Sequence, residues 1–242
     1  MQTRQGVILL GGRGTRLSGL FPDLPKALAP VAGRPFLAWQ LDWLFAGNIS
    51  SILLAAGYLG DQIREWVQQQ SFNDRVSVSI EPEPLGTGGA IKYALPSRGQ
   101  NSFLVLNGDS LLPKLNFQKM DEAHRQSGAS ATIAVTSIED SGRYGTVLFD
   151  KSGKIVKFDE KKSRSRSARA KTSGWVNGGV YLLNSSILLS IQANKTVSLE
   201  YDVFPQLAAD GKLSVFQCPP PLLDMGTPEG LQKMEKYLGR PS

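Results

Sequence analysis

A short apolar run that leads directly into a glycine-rich loop is the strongest constraint on the fold of this chain. Residues 7–10, Val-Ile-Leu-Leu, are followed by Gly-Gly-Arg-Gly-Thr-Arg-Leu at 11–17, and Pro25-Lys26 comes one short loop later. The apolar run predicts a buried strand, and the glycines would let backbone N–H groups approach a ligand closely. Two arginines and a lysine beside them favour an anion as that ligand. We therefore expect this loop to bind a nucleoside triphosphate.

Two better-known glycine motifs fit this loop less well. A P-loop ends in Gly-Lys followed by Ser or Thr, whereas Gly14 is followed by Thr15-Arg16. A dinucleotide-binding loop has a third glycine where this chain has Leu17, and no acidic residue ends a second strand near Ala55-Ala56. A plain glycine turn would not explain the three cations. Phosphate binding therefore remains the best interpretation of the loop.

Composition limits the broad class of the protein. A chain of 242 residues that is 41% apolar can bury one sizeable core, so we expect a single domain over residues 1–242. No apolar run approaches the roughly 18 residues of a membrane span, which favours a cytoplasmic protein with no membrane partner. With one cysteine, Cys218, and one histidine, His124, the chain cannot build a His/Cys metal cluster. Any metal is therefore expected on carboxylates.

The net charge of +6 comes from one segment. Residues 161–171 contain six cations and no acid, and the remaining 21 basic residues equal the acidic ones in number. A nucleic-acid-binding surface would spread its cations over a face and mix in aromatic residues. We therefore expect no nucleic-acid partner, and we predict a disordered loop over Ser163–Ser173.

Apolar runs and helical patterns alternate through the first half, which predicts βα units around a mostly parallel sheet. Strands are expected at Val7–Leu10, Ile52–Ala56, Val76–Ile80, Phe103–Leu106 and Ala131–Val135, with helices opening at Pro35 and near Ala90. The later pattern predicts a hairpin (Thr146–Phe149 and Lys154–Phe158), a strand (Gly178–Leu183), a helix (Leu199–Ala209) and a C-terminal helix starting at Thr227-Pro228. The predicted class is α/β, a Rossmann-like mixed, mostly parallel sheet flanked by helices, with a small β-rich portion.

Two aspartates follow predicted strands and are the best candidates for a metal site. Asn107-Gly108-Asp109 comes at the carboxyl end of the strand Phe103–Leu106, where open α/β folds bind ligands, and Asp224 follows Leu222-Leu223. Each aspartate alone could simply cap a turn. Together they would suit Mg²⁺, which is usually held by one or two carboxylates plus phosphates. Magnesium is therefore the expected cofactor, although spacing alone does not pair the two residues.

The segment 81–89, Glu-Pro-Glu-Pro-Leu-Gly-Thr-Gly-Gly, is the candidate base-binding loop. Its prolines would stiffen a turn, and its glycines would permit close approach to a flat ring. Guanine presents adjacent N–H donors that one carboxylate could accept together, whereas adenine offers no such pair. Glu81 or Glu83 could therefore read guanine; alternatively, both are solvent-facing loop residues.

The pattern Gly-Gly-x-Gly-Thr-Arg-Leu with Pro-Lys downstream resembles the sugar-1-phosphate nucleotidyltransferases, which make nucleotide sugars. The resemblance covers nearly the whole chain and implies the nucleotide-diphospho-sugar transferase fold, with a nucleotide-binding half (1–112) and a sugar-phosphate-binding half (113–242). It favours Glu81 as the base reader, and it matches Asp109 and Asp224 to the metal ligands. The nucleotide-binding residues that it implies are Leu10, Gly11, Gly12, Gly14, Thr15, Arg16, Lys26, Glu81, Pro84, Gly86, Thr87, Asn107 and Gly108.

The same resemblance assigns the sugar phosphate to the second half. Tyr144-Gly145 would offer a backbone N–H to a sugar hydroxyl, Glu160 would accept from hydroxyls, and Asn177-Gly178-Gly179 would shape the pocket wall. Lys161 would bind the sugar phosphate, with Lys162 as the open alternative. Arg16, Lys26 and Lys161 are the implied catalytic cations, because attack by an ionised phosphate needs positioning and charge neutralisation rather than a general base.

Two further motifs narrow the resemblance. Gly-Arg-Tyr-Gly-Thr-Val at 142–147 and Val-Asn-Gly-Gly-Val-Tyr-Leu-Leu at 176–183 look most like the bacterial heptose-1-phosphate guanylyltransferases. This implies GTP and D-glycero-α-D-manno-heptose 1-phosphate as substrates, in surface glycan biosynthesis. A mannose- or glucose-1-phosphate nucleotidyltransferase using GTP, UTP or dTTP stays open, as does a catalytically silent nucleotide-sugar-binding regulator. Relatives commonly assemble as dimers or tetramers, so a homo-oligomer is also open.

Overall fold

One mixed sheet of nine strands organises the part of the chain that the structure describes. The structure is a computed structural model, and it describes residues 5–12, 14, 19–95, 102–139, 141, 144–159 (without the Asp159 side chain) and 173–239. The strands are β1 (Gln5–Leu10), β2 (Pro30–Val31), β3 (Arg34–Pro35), β4 (Ser51–Ala56), β5 (Val76–Ile80), β6 (Ser102–Asn107), β7 (Ser110–Leu111), β8 (Ala131–Ile138), β9 (Thr146–Phe149), β10 (Ile155–Asp159), β11 (Gly174–Asn184), β12 (Leu213–Gln217) and β13 (Leu223–Asp224). The α-helices are α1 (Phe36–Ala46), α2 (Gly60–Gln68), α3 (Gly86–Ala94), α4 (Phe117–Ser127), α5 (Ile187–Ser190), α6 (Phe204–Ala209) and α7 (Pro228–Leu238).

The strand order of the large sheet separates the two halves of the chain. The order is β10-β9-β11-β6-β1-β4-β5, and β8 joins it by pairing with β11 and β12. Strand β1 pairs in parallel with both β4 and β6, and β4 pairs in parallel with β5, whereas β11 runs antiparallel to β6, β8 and β9. The predicted fold class is therefore confirmed, with parallel pairing in the first half and most antiparallel pairing in the second.

Alternating side chains of β1 enter apolar clusters on the two faces of the sheet. Ile8 and Leu10 join one cluster, and Val7 joins the other. This alternation explains why the run at 7–10 is continuously apolar: a central parallel strand is covered on both faces. A third cluster joins α1 to α7 through Phe36 and Met234, both fully buried. The β1 end, where the glycine loop begins, is thus fixed from both sides.

Two predicted helices differ from the observed ones. Helix α3 begins at Gly86 instead of near Ala90, because the N–H groups of Gly88 and Gly89 donate to the Val197 carbonyl at 2.8 and 3.1 Å. The predicted helix Leu199–Ala209 is instead a π-helical turn, Leu199–Val203, followed by α6. The predicted hairpin is confirmed as the antiparallel pair β9–β10, and Thr227 caps α7 by accepting from the Gly230 N–H.

Within the described ranges, no helix has the length and apolar character needed to cross a bilayer. The disorder expected for Ser163–Ser173 concerns residues that, except for Ser173, lie outside those ranges. The division into a nucleotide half and a sugar-phosphate half stays a prediction.

Candidate active site

A cavity of about 660 Å³ opens beside the carboxyl ends of β1 and β6. Ligands bind at this edge in open α/β folds, because several strand-end loops converge there. Most of the predicted site residues line it, from both halves of the chain. Those that do are Leu10, Gly11, Gly12, Gly14, Lys26, Glu81, Pro84, Gly86, Thr87, Asn107, Gly108, Asp109, Tyr144, Gly145, Asn177 and Asp224.

The glycine loop packs directly on Lys26. Gly14 has a φ of +59°, which disfavours side chains, and a Cβ there would lie 3.0 Å from the Cβ of Lys26. Lys26 opens a 3₁₀ turn, Lys26–Leu28, directly after Pro25. Glycine at position 14 therefore lets the loop and the lysine share one wall of the cavity.

Lys26 and Asp109 form an ion pair at the centre of this wall. The Lys26 Nζ lies 2.7 Å from Oδ2 of Asp109, and the side chains are 18% and 37% exposed. The Ser110 hydroxyl donates to the other carboxylate oxygen at 3.1 Å. The lysine that is expected to bind phosphate is thus in direct contact with the aspartate that is expected to bind a metal ion.

A short strand holds Asp224 near Asp109. Strand β13 pairs with β7, which puts Asp224 opposite Ser110, and the Met225 N–H donates to the Asp109 carbonyl at 3.0 Å. The Asp224 Oδ1 accepts from the Gly226 N–H at 2.6 Å, and a Cβ on Gly226 would lie 2.8 Å from that oxygen. The structure therefore brings the two aspartates together, which spacing alone could not predict.

Among the residues that the structure describes, these two aspartates are not part of a larger acidic cluster. In the ranges described, no group of three or more His, Cys, Asp and Glu side chains could hold a metal ion. The described residues thus offer two carboxylates to a metal ion in this cavity. Such a set suits Mg²⁺, which completes its coordination with waters and substrate phosphates.

Glu81 is buried behind the glycine loop. Its Oε2 accepts from the Leu85 N–H at 3.2 Å, and the residue is 9% exposed. A Cβ on Gly11 or Gly57 would lie 2.5 or 2.8 Å from its Oε1, so both glycines leave room for this carboxylate. Burial raises the pKa of Glu81 above its usual value, and the Leu85 hydrogen bond opposes that shift. Glu83, the open alternative, is exposed and does not line the cavity.

The glycines of α3 have a different contact from the one expected. The sequence predicts that they let backbone approach a flat ring, but a Cβ on Gly86 or Gly89 would lie 2.6 or 2.5 Å from the carbonyl oxygen of Val197 or Lys195. These glycines therefore allow α3 to pack against residues 195–197. Gly86 still lines the cavity, and its φ is +72°.

A hydrogen-bonded network joins the base side of the cavity to the sugar side. The Thr87 hydroxyl donates to Glu200 at 2.6 Å, and the Tyr181 hydroxyl donates to the other oxygen of Glu200 at 3.1 Å. The Asn177 amide donates to Tyr181 at 2.9 Å, and its backbone N–H donates to the Gly145 carbonyl at 3.0 Å. Glu200 thus connects residues predicted for two different substrates.

Gly178 does not line the cavity, contrary to the expectation that it shapes the pocket wall. A Cβ on it would lie 2.6 Å from a methyl carbon of Leu112 and 2.9 Å from the Ala134 carbonyl. Its small size therefore serves close packing inside the sheet. Gly179, expected in the same wall, does line the cavity, with a φ of +71°.

Four predicted residues lie outside the described ranges: Thr15, Arg16, Glu160 and Lys161, together with the alternative Lys162.

Several residues of the cavity were not predicted from the sequence, namely Ser110, Tyr181, Glu200, Tyr201, Leu222 and Gly226. Ser110 follows Asp109 directly, and Gly226 lies two positions after Asp224. Their closeness in sequence to the predicted metal ligands could therefore have indicated both residues. Glu200 had a weaker signal, a Ser198-Leu-Glu start to a helix.

Comparison with known proteins shows the family of the chain. A sequence model described as nucleotidyl transferase matches residues 5–239. A D-glycero-alpha-D-manno-heptose 1-phosphate guanylyltransferase from Aneurinibacillus thermoaerophilus is 32% identical over 97% of this chain and 98% of its own length. The mannose-1-phosphate guanylyltransferase catalytic subunit beta of Xenopus tropicalis is 33% identical over 93% of this chain, which spans 62% of that protein. The crystal structure of HddC from Yersinia pseudotuberculosis complexed with GMP-PN is 30% identical, with a TM-score of 0.81 over 98% of this chain and 100% of that one.

The mostly parallel sheet with its flanking helices is the nucleotide-diphospho-sugar transferase fold. The chain belongs to the nucleotidyl transferase family. The family predicted from the glycine loop is thereby confirmed.

Proposed function

We propose that this protein joins GTP and a sugar 1-phosphate into a GDP-sugar and pyrophosphate, with D-glycero-α-D-manno-heptose 1-phosphate as the sugar substrate. The observation that carries the proposal is the Lys26–Asp109 pair at 2.7 Å, set between the glycine loop and Asp224 in one cavity. The guanylyltransferase relatives and the GMP-PN complex of HddC support guanine as the base.

Glu81 is the proposed reader of guanine. Its carboxylate lines the cavity next to Gly11, and each oxygen of a carboxylate can accept more than one hydrogen bond. The bond from Leu85 therefore leaves acceptor capacity for the N1–H and N2–H groups of the base. Adenine lacks this pair of donors, so the same carboxylate would select against ATP.

Asp109 and Asp224 are the proposed ligands of Mg²⁺. Both line the cavity, and their backbones are joined through the β7–β13 pair, so the two carboxylates belong to one rigid unit. When bound, the ion would neutralise charge on the triphosphate.

The residues of the chain position two anions for attack. The glycine loop and Lys26 hold the triphosphate, and Gly145 and Asn177 face the sugar. An oxygen of the sugar phosphate attacks the α-phosphorus of GTP, forming the new P–O bond as the bond to the pyrophosphate oxygen breaks. The nucleophile is already ionised, so no side chain need take its proton. Lys26 stabilises the negative charge that shifts to the leaving group. Arg16 and Lys161 remain predicted partners in this step.

A pyrophosphate-release screen tests the function. GTP, ATP, UTP and dTTP are each combined with heptose, mannose, glucose and N-acetylhexosamine 1-phosphates. The expected result is fastest release with GTP and the heptose substrate. Failure to release pyrophosphate from any pair would support the silent regulator instead, and a preference for another pair would reassign base or sugar.

Lys26→Ala tests the role of the cavity lysine. We expect kcat to fall by at least about 100-fold, because a preorganised cation next to the developing charge is lost. Lys119→Ala is the matched control, since Lys119 is an exposed lysine of α4. Release near the wild-type rate in Lys26→Ala would contradict the proposed assignment.

Mannose 1-phosphate is the second candidate sugar, favoured by the 33% identity to the mannose-1-phosphate guanylyltransferase subunit. The screen separates the two sugars directly. The cytoplasmic location and the homo-oligomer stay predictions.

A further inference from the structure

Gln40 is a buried amide that holds the turn carrying Asp109. It lies in α1 with 0% exposure, and its Nε2 donates to the carbonyl oxygens of Asn107 at 2.9 Å and Ser110 at 3.0 Å. These two carbonyls stand on either side of Gly108-Asp109 in the chain. One NH₂ group is therefore hydrogen-bonded to both ends of the turn.

The side-chain amide must point its nitrogen at this turn, because both partners are carbonyl acceptors. As a result, the Gln40 Oε1 is buried and has no hydrogen-bond partner among the described residues. An unpartnered buried oxygen lowers stability, so the presence of glutamine here needs another explanation. The contacts of its NH₂ group supply one.

The turn has two further backbone hydrogen bonds, one to β1 and one to the residue that follows β13. The Gly108 N–H donates to the Leu9 carbonyl at 3.0 Å, and the Met225 N–H donates to the Asp109 carbonyl at 3.0 Å. Leu9 of β1 and Met225, the residue after β13, are therefore each bonded to a single group within the turn. Gln40 differs from both, because it bridges the two residues that bracket Gly108-Asp109.

We propose that Gln40 is a positioning residue for the Asp109 carboxylate, fixing the Asn107–Ser110 turn so that this carboxylate faces a divalent cation beside Asp224. The inference rests on the proposed function for its metal site. Gln40 itself does not line the cavity. Its effect would pass through backbone carbonyls, so its loss would displace Asp109 without removing a ligand.

Binding of Mn²⁺ alone, followed by electron paramagnetic resonance, tests this role without any substrate. Gln40→Met keeps the size of the side chain and removes the donor, and Gln40→Glu keeps its shape and replaces the donor by oxygen. We expect both variants to weaken Mn²⁺ binding about tenfold or more, as outer-shell partners of metal ligands typically do. Leu44→Val is the matched control, since Leu44 is a fully buried residue of α1 with no polar side-chain group. It should bind Mn²⁺ as the wild type does.

A second measurement separates positioning from general damage. In Gln40→Met the Mg²⁺ concentration for half-maximal pyrophosphate release should rise about tenfold, with the KM for sugar phosphate unchanged. Wild-type Mn²⁺ affinity in both Gln40 variants, or no Mn²⁺ binding by the wild type, would overturn the inference. An equal loss in Leu44→Val would also overturn it. If the wild type binds Mn²⁺ through a Gln40-dependent site but releases no pyrophosphate with any substrate pair, the inference stands and the proposed function fails.

Discussion

Replacing Glu81 by glutamine should weaken GTP use and, at neutral pH, stabilise the fold. The carboxylate is 9% exposed, and one of its oxygens accepts from the Leu85 N–H at 3.2 Å. Glutamine has nearly the same shape, and its amide oxygen can keep that bond. What the substitution removes is the negative charge and one of the two carboxylate acceptors of this cavity-lining residue. The same change therefore probes base recognition and the energetic effect of burial.

The loss in recognition follows from the two adjacent N–H groups of guanine. A carboxylate can accept from both, whereas an amide accepts from one and turns its own NH₂ group toward the other. A hydrogen bond to a charged group contributes about 1.5–3 kcal/mol, so kcat/KM for GTP should fall about 10- to 150-fold. The ratio of GTP to dTTP use should fall with it, because the carbonyl oxygens of thymine can accept from the new NH₂ group.

The effect on stability has a defined pH dependence. Burial raises the pKa of Glu81 in the folded protein above the ordinary value of 4.5. For a raised pKa, the contribution to stability is fully present below the unfolded pKa and is lost as the pH rises through the folded pKa. The amide of the Glu81→Gln variant cannot ionise, so the variant avoids this loss. Its melting temperature should exceed that of the wild type near pH 7, and the difference should vanish below about pH 4.5.

Two measurements decide the case: steady-state kinetics with GTP and dTTP, and thermal unfolding across the acid to neutral range. Glu83→Gln is the control, because Glu83 is exposed and outside the cavity; it should change neither quantity. An unchanged GTP to dTTP ratio would refute base reading by Glu81. A stability difference that grows toward acid pH would refute the burial argument.

Further substitutions test the loop and the core. Gly14→Ala should lower stability by roughly 1–2 kcal/mol, measured by urea unfolding, and weaken GTP binding, because a left-handed residue with a Cβ would press on Lys26. Gly12→Ala is its control for stability alone, since a Cβ there meets no described atom within 4 Å; an equal loss of stability would contradict the argument. Thr136→Val should be neutral or stabilising by about 1 kcal/mol, because the buried Thr136 hydroxyl has no hydrogen-bond partner in the part of the chain that the structure describes. A clear loss of stability would show that this hydroxyl has a partner after all.

The sequence was sufficient to predict residues that sit at strand ends. Asp109 and the glycine loop follow apolar runs that enter a parallel sheet, and the carboxyl ends of such strands meet at one edge. Local pattern alone therefore predicts that they share a cavity. Asp224 needed the family resemblance, because its place depends on the pairing of two-residue strands more than 100 residues apart in the chain.

The start of α3 could not be predicted from local preference. Glycine is a poor helix former, so four positions with three glycines indicate a loop. The structure places them in the first turn of α3 because that turn packs against the backbone of residues 195–197. A contact between segments over 100 residues apart overrides the propensity, and no local pattern contains it. Glu200 has the same difficulty, since its bond to Thr87 spans 113 positions.

The helical periodicity of the sequence could have indicated that Gln40 is buried. It follows Leu37 by three positions and precedes Leu44 by four, so it lies on the stripe of α1 that the helical repeat assigns to the core, and all three residues are fully buried. An amide on such a stripe is informative, because buried polar groups need partners whereas buried leucines do not. The sequence can therefore indicate that position 40 bonds to something inside the fold. It cannot name the Asn107 and Ser110 carbonyls, which lie 67 and 70 residues away and reach α1 only through the sheet.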